Sequence, residues 1–94
     1  MIKDKEIAMV NAATLALDYK EKHPRCWDDD AVAYVMKNLE APQKVKIYAI
    51  AAANEILKVR AAEGFKNMGD KQILQQFVDN IYAFVAKIDA GMKE

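Results

Sequence analysis

The sequence predicts an all-α protein, a bundle-like single domain of four helices covering residues 1–94, and three observations lead there. Apolar residues recur every three or four positions along most of the chain, which is the period of an α-helix. No window alternates apolar and polar residues with the period of two that is typical of a half-buried strand. A length of 94 residues suits one domain with one core. We place the helices at residues 4–22, 29–39, 42–63 and 71–90.

The first predicted helix begins at Asp4, because a carboxylate there can accept the free N–H groups of the first turn. Its polar strip is narrow and consists of Asn11, Thr14, Asp18, Glu21 and Lys22. Most of the remaining circumference is apolar, and Ala8, Ala12 and Ala16 would let a neighbouring helix come close. This face predicts a helix packed deep in the bundle or, in part, a dimer interface.

The first connection separates helices 1 and 2. Pro24 ends helix 1, because a residue before proline avoids the helical conformation. One residue of the run Asp28, Asp29 and Asp30 is expected to cap helix 2, and the others favour the positive end of its dipole. The apolar side of helix 2 is formed by Val32, Val35, Met36 and Leu39.

The middle helix, between Pro42 and Gly64, carries two apolar rows on roughly opposite sides. The first row is Val45, Tyr48, Ala52, Ile56 and Val59. The second row is Ile47, Ile50, Leu57, Ala61 and Phe65. Because a surface helix has only one apolar face, two rows predict neighbours on two sides. We therefore expect helices 1 and 3 at the centre, with both rows shielded by this chain or by a second copy.

The fourth predicted helix has one apolar side and one polar side. Asp70 is expected to cap it and Gly91 to end it. Its apolar row is Leu74, Phe77, Ile81, Phe84 and Ile88. We expect this row to face helices 1 and 3.

Composition argues against several classes of partner. The formal net charge is zero, with 14 basic and 14 acidic residues, so no overall field attracts nucleic acid or an anionic membrane. Only Arg25 and Arg60 are arginines, the residue best suited to bidentate phosphate contacts. No stretch approaches the ~20 apolar residues of a membrane span. The single Cys26 and the lack of a secretory signal at the N-terminus predict a cytoplasmic location.

The densest group of reactive side chains lies between Tyr19 and Asp30. Structural zinc requires four nitrogen or sulfur ligands, whereas this chain has one histidine and one cysteine. A calcium loop requires alternating acidic positions and a central glycine, which the segment lacks. A catalytic Cys26 would need His23 as a base with an orienting acid, and no motif supplies one. We interpret the segment as a capped loop in which Cys26, beside Trp27, helps to plug one end of the core.

Other kinds of chemistry have no recognisable motif either. The glycines, Gly64, Gly69 and Gly91, each fall at a predicted helix boundary, so there is no glycine-rich phosphate loop. Asp18 and Glu21 could in principle act as an acid–base pair, but they also fit a solvated helix face, which we prefer. We therefore expect a non-enzymatic protein with no catalytic, cofactor or metal site.

The expected function is that of a small interaction protein, which binds a protein partner or a second copy of itself through leftover apolar surface. Three aromatic residues facing away from the apolar rows are the expected partner-binding residues: Trp27, Tyr34 and Tyr82. We expect neither nucleic acid nor a membrane as the partner.

The alternative is a helix-turn-helix regulator that reads DNA with helices 2 and 3. The front of the reading helix would then present Gln43, Lys44, Lys46 and Tyr48. Two apolar rows on that helix count against this reading, as does the acidic run at residues 28–30.

Overall fold

The computed structural model describes residues 4–62 and 69–92, which form helices and turns with no strand among them. The helices are α1 (Lys5–Lys22), α2 (Asp28–Asn38), α3 (Gln43–Ala61), α4 (Asp70–Asp79) and α5 (Ile81–Met92). The all-α prediction is confirmed. The segment predicted as one helix over residues 71–90 consists of α4 and α5 together.

The pair formed by α1 and α3 is the most extensive helix contact in the described structure. Alanine dominates the buried positions of both helices, namely Ala8, Ala12, Ala13 and Ala16 in α1 and Ala49, Ala52 and Ala53 in α3. Small side chains let two helices approach closely, so backbone atoms also gain dispersion contacts. Each of α2, α4 and α5 packs against both members of this pair. The predicted central position of helices 1 and 3 is therefore confirmed.

The core draws one large side chain from each of the first four helices. The largest fully buried side chains are Met9, Val35, Ile56 and Ile73. No polar or charged side chain is buried in the part of the chain that the structure describes. The core is thus held together by apolar burial, which is worth about 25 cal/mol for each Å² removed from water.

Helix α3 has one wide buried face instead of two opposite rows. Its buried residues are Val45, Ala49, Ala52, Ala53, Ile56 and Leu57. In the second predicted row Leu57 is buried, but Ile47 is 44% exposed and Ala61 is exposed. The prediction that both rows are shielded is wrong for this chain by itself. The reason is that α3 buries the strip between the rows, where Ala49 and Ala53 lie.

A break at Asn80 separates α4 from α5. The Asn80 backbone N–H is shared between the carbonyl oxygens of Gln76 and Phe77, each at 3.2 Å. The Asn80 side chain donates a further bond of 2.8 Å to the Gln76 carbonyl. The Asn80 backbone has left the helical conformation, with φ −109° and ψ 11°, and α4 ends there. The Asn80 carbonyl then accepts from the Phe84 N–H at 3.0 Å, which starts α5.

The inward row of α4 and α5 differs from the row predicted for the fourth helix. The deepest row is Ile73, Phe77, Ile81 and Val85. Leu74, Phe84 and Ile88 of the predicted row are only partly buried against it. Gly91 lies within α5 and does not end the predicted helix.

The helix starts were predicted in part. Asp4 is the N-cap of α1, and its carboxylate accepts the Ile7 N–H at 3.1 Å, as predicted. This bond lowers the pKa of Asp4 below its usual value. At α2 the cap position is Trp27, and Asp30 reaches back to accept the Trp27 N–H at 3.2 Å. The prediction that an aspartate occupies the N-cap is therefore wrong. Asp30 instead accepts the backbone N–H of the cap residue from one turn into the helix.

Three predictions fall outside the described residues. They concern Gly64 as the end of α3, Phe65 as the last member of the second row, and the side chain of Asp70 as a cap.

Candidate functional site

The three aromatic residues expected to bind a partner lie in different surroundings. Trp27 is 80% exposed and Tyr82 is 76% exposed. Tyr34 is half-buried, because its ring stacks on Tyr19 with 4.8 Å between the ring centroids. Trp27 lies in the α1–α2 connection, and Tyr82 lies in the first turn of α5. The structure thus places Trp27 and Tyr82 on different surfaces.

Tyr82 forms one wall of a depression between α1 and the α4–α5 junction. The cavity volume is about 420 Å³, and it is lined by Glu6, Ile7, Val10, Asn11, Val78, Ile81 and Tyr82. Ile7 on the opposite wall is 56% exposed. Ile7 and Tyr82 are two of the five large apolar side chains exposed in the described structure, and they share one depression. Their position in one depression distinguishes them from singly exposed apolar side chains, which are ordinary.

A second depression continues along the same seam between α1 and α4. Its volume is about 160 Å³, and it is lined by Thr14, Leu17, Asp18, Glu21, Lys71 and Leu74. Helix α1 runs antiparallel to α4 and α5 along this seam. The C-terminal half of α1 faces the start of α4, and the N-terminal half of α1 faces the start of α5. We call the two depressions together the α1–α4/α5 groove.

The charges of this groove are mostly acidic. Its lining contains the carboxylates of Glu6, Asp18 and Glu21 and the ammonium group of Lys71. Asp18 forms an ion pair of 3.3 Å with Lys22 one turn further along α1. No ion pair among the described residues includes Glu6 or Glu21. The groove therefore combines apolar side chains with Asn11 and Thr14 at its middle. Near each end lies a carboxylate that forms no ion pair with a cation among the described residues.

The reactive cluster around Cys26 is organised by a residue that the sequence did not single out. The Lys20 ammonium group donates to the Cys26 carbonyl at 2.8 Å and lies 3.1 Å from the Asp28 carboxylate. Its side chain is only 14% exposed, which strengthens both contacts. The Cys26 N–H donates to the His23 carbonyl at 3.0 Å, and this bond closes the turn.

The two residues at the centre of the cluster differ in exposure. Trp27 points into solvent, while Cys26, which we predicted to help plug one end of the core, is half-buried. The His23 ring packs on Tyr19 with 4.6 Å between the centroids. In the described part of the chain, no group of three histidine, cysteine or acidic side chains is placed to hold a metal ion.

A polar clasp joins α1, α3 and α5 at one end of the molecule. The Tyr48 hydroxyl donates a hydrogen bond to the Asp89 carboxylate. The Lys5 ammonium group lies 3.7 Å from Asp89 and 5.0 Å from the centroid of the Tyr48 ring. The bond to Asp89 raises the pKa of Tyr48, and partial burial and the negative charges of Asp89 and Glu6 raise it further. Sequence analysis missed Asp89, because a contact between helices far apart in the chain leaves no local pattern.

Ile7 was also missed, although the sequence contained a signal for it. On a helical wheel Ile7 falls in line with the predicted polar strip, beside Asn11 and Thr14. An isoleucine within an otherwise polar strip is expected to be exposed, because the polar strip of a helix faces solvent.

Comparison of this chain with protein-family models, with curated proteins and with solved structures found no match. None of the helices in the described ranges has the length and hydropathy needed to cross a lipid bilayer.

Proposed function

We propose that this chain is a small, non-enzymatic interaction protein that binds another protein through the α1–α4/α5 groove. The observation that carries the proposal is the pairing of Ile7 and Tyr82, both more than half exposed, across one apolar depression. Tyrosine is among the residues that contribute most to binding at protein interfaces. Val10 and Val78 extend the apolar surface between them.

The groove also suits a second copy of the chain, so homodimerisation belongs to the same proposal. We place the protein in the cytoplasm, and its single, unpaired Cys26 supports a reducing compartment.

The alternative function, a DNA-binding regulator, has less support. Tyr48, expected at the front of the reading helix, is engaged by Asp89. This contact brings a carboxylate of α5 beside the front of α3, where a DNA phosphate would meet a negative charge. The widest face of α3 is buried against the rest of the core.

The first experiment measures self-association. Size-exclusion chromatography with light scattering at high concentration distinguishes a 10.6 kDa monomer from a dimer. If the chain dimerises, the double variant Ile7→Ser/Tyr82→Ser should dissociate it. Met36→Ser is the matched control, because Met36 is 48% exposed on α2 and does not line the groove.

The second experiment measures partner binding with the same three proteins. A partner should be retained by the wild-type chain and by Met36→Ser, and lost with the double variant. Circular dichroism should show equal helix content for all three, because the replaced side chains are exposed. Equal retention by the double variant, or the absence of both a partner and self-association, would overturn the proposal.

A further inference from the structure

We infer that the α1–α4/α5 groove receives an amphipathic helix of another protein, and that this helix carries a basic residue at each end of its apolar face. The inference rests on the proposed function and specifies the partner. Binding of a helix in a groove uses apolar side chains one turn apart for affinity and flanking polar groups for orientation.

The groove has the length of a short helix. Its two depressions follow the seam between α1 and the antiparallel α4 and α5. Lining residues run from Glu6 to Glu21, which is about four helical turns and about 22 Å. The apolar residues along this length are Ile7, Val10, Leu17, Leu74, Val78, Ile81 and Tyr82. A helix of about fifteen residues would therefore cover the groove from end to end.

The charges select the kind of helix. Glu6 lies near one end of the groove and Glu21 near the other, and neither has an ion-pair partner among the residues that the structure describes. The carboxylate between them, Asp18, is compensated by Lys22. A helix with basic residues about four turns apart would meet a carboxylate at each end while its apolar face covers the middle.

The two ends are not equal. Lys71 lines the groove at the Glu21 end and partly offsets that carboxylate, whereas no cation lines the depression that contains Glu6. The basic residue of the partner should therefore gain more at Glu6 than at Glu21.

A second copy of this chain fits the groove less well than such a helix. In a twofold dimer the same surface faces itself. Packing one groove on another would bring the carboxylates of Glu6 and Glu21 from both copies together, with only Lys71 of each copy in the lining to offset them. Like charges placed opposite each other oppose association.

The test uses two synthetic helical peptides of eighteen residues with capped ends. Both carry leucine at the sixth, ninth and thirteenth positions, which lie on one face. One peptide has lysine at the second and seventeenth positions, and the other has glutamate there. Binding to the 94-residue chain is measured by fluorescence anisotropy and by NMR shifts of the groove residues, at low and at high salt.

The lysine peptide should bind at least tenfold more tightly than the glutamate peptide, and added salt should reduce the difference. Glu6→Gln should weaken the lysine peptide about threefold and Glu21→Gln somewhat less, with about tenfold for both together. Glu40→Gln, an exposed change in the α2–α3 connection, is the matched control and should have no effect. All four variants should have the same helix content as the wild-type chain.

Other outcomes separate this inference from the proposed function. Equal binding of both peptides would overturn the basic partner and leave the groove as an interaction site. If the chain self-associates through Ile7 and Tyr82 and binds neither peptide, the occupant of the groove is a second copy of the chain. That outcome would overturn the inference but not the proposed function. If neither peptide binds and the chain neither associates nor retains a partner, the inference and the proposed function both fail.

Discussion

The two sides of α1 pack in opposite ways. On one side lies a row of alanines, and α1 makes its most extensive contact with α3, itself rich in buried alanine. On the other side, Ile7 and Val10 belong to a seam with α4 and α5 that stays partly open, with depressions of about 420 Å³ and 160 Å³. The same helix thus supplies the most extensive helix contact and the largest apolar opening that we describe.

The difference shows how side-chain size divides a small protein between stability and binding. Alanine adds little apolar surface, but it lets helices approach until backbone and side chains are in contact. The larger residues on the other side, Ile7 and Val10, keep part of their own surface accessible. Substitutions on the α3 side should therefore change the free energy of unfolding, whereas substitutions in the groove should change binding.

The largest expected effect compares one substitution at two isoleucines. Ile56 is fully buried in α3, and Ile7 is 56% exposed in the groove. Ile56→Ala should reduce the free energy of unfolding by about 2–5 kcal/mol, because it removes buried methyl groups and leaves a cavity. Ile7→Ala should change it by about 0.5 kcal/mol or less. Urea unfolding followed by circular dichroism measures both, and similar losses would show that the groove is as well packed as the core.

The next effect tests whether the alanines permit the close approach. Ala12 is fully buried in α1, and Ala83 is exposed on α5. Ala12→Leu should destabilise the protein by about 1–3 kcal/mol, because the larger side chain has to force neighbouring helices apart. Ala83→Leu should have almost no effect, since both residues are good helix formers. A neutral or stabilising Ala12→Leu would mean that unfilled space remains beside α1.

Local sequence patterns predicted the features that depend on residues close together in the chain. The helical period, the Asp4 cap and the alanines that mark α1 and α3 as central can each be recognised within one or two turns of chain. The single buried face of α3 could not be recognised in this way. Alanines such as Ala49 and Ala53 carry little weight in an apolar pattern, although their small size decides which face a neighbour covers.

The same reasoning explains the outcome at the candidate site. Tyr82 was identified because it faces away from the apolar row of its own helix. The groove was not, because it exists only where α1 meets two helices that are far away in the sequence. The break between those helices lies at Asn80, whereas the amino-acid pattern alone favours a continuous helix there.

The smallest expected effect concerns the clasp that closes one end of the α1–α3 pair. Tyr48→Phe removes the hydrogen bond to Asp89 but keeps the aromatic ring beneath Lys5, so it isolates the contribution of the hydroxyl. The pKa of Tyr48 is raised in the folded protein, because the neutral hydroxyl donates to Asp89. The stabilising contribution of this hydrogen bond is therefore complete below the pKa of an unfolded tyrosine, about 10. It is lost as the pH rises through the raised pKa of Tyr48 in the folded protein. The melting temperature of Tyr48→Phe should lie slightly below that of the wild-type chain at pH 7, and the gap should close in alkaline buffer. Tyr82→Phe is the control, because Tyr82 is exposed and its hydroxyl makes none of the hydrogen bonds described. Its melting temperature should equal that of the wild-type chain at every pH tested. If the difference in melting temperature between Tyr48→Phe and the wild-type chain stays constant with pH, the Tyr48 hydroxyl does not titrate against Asp89.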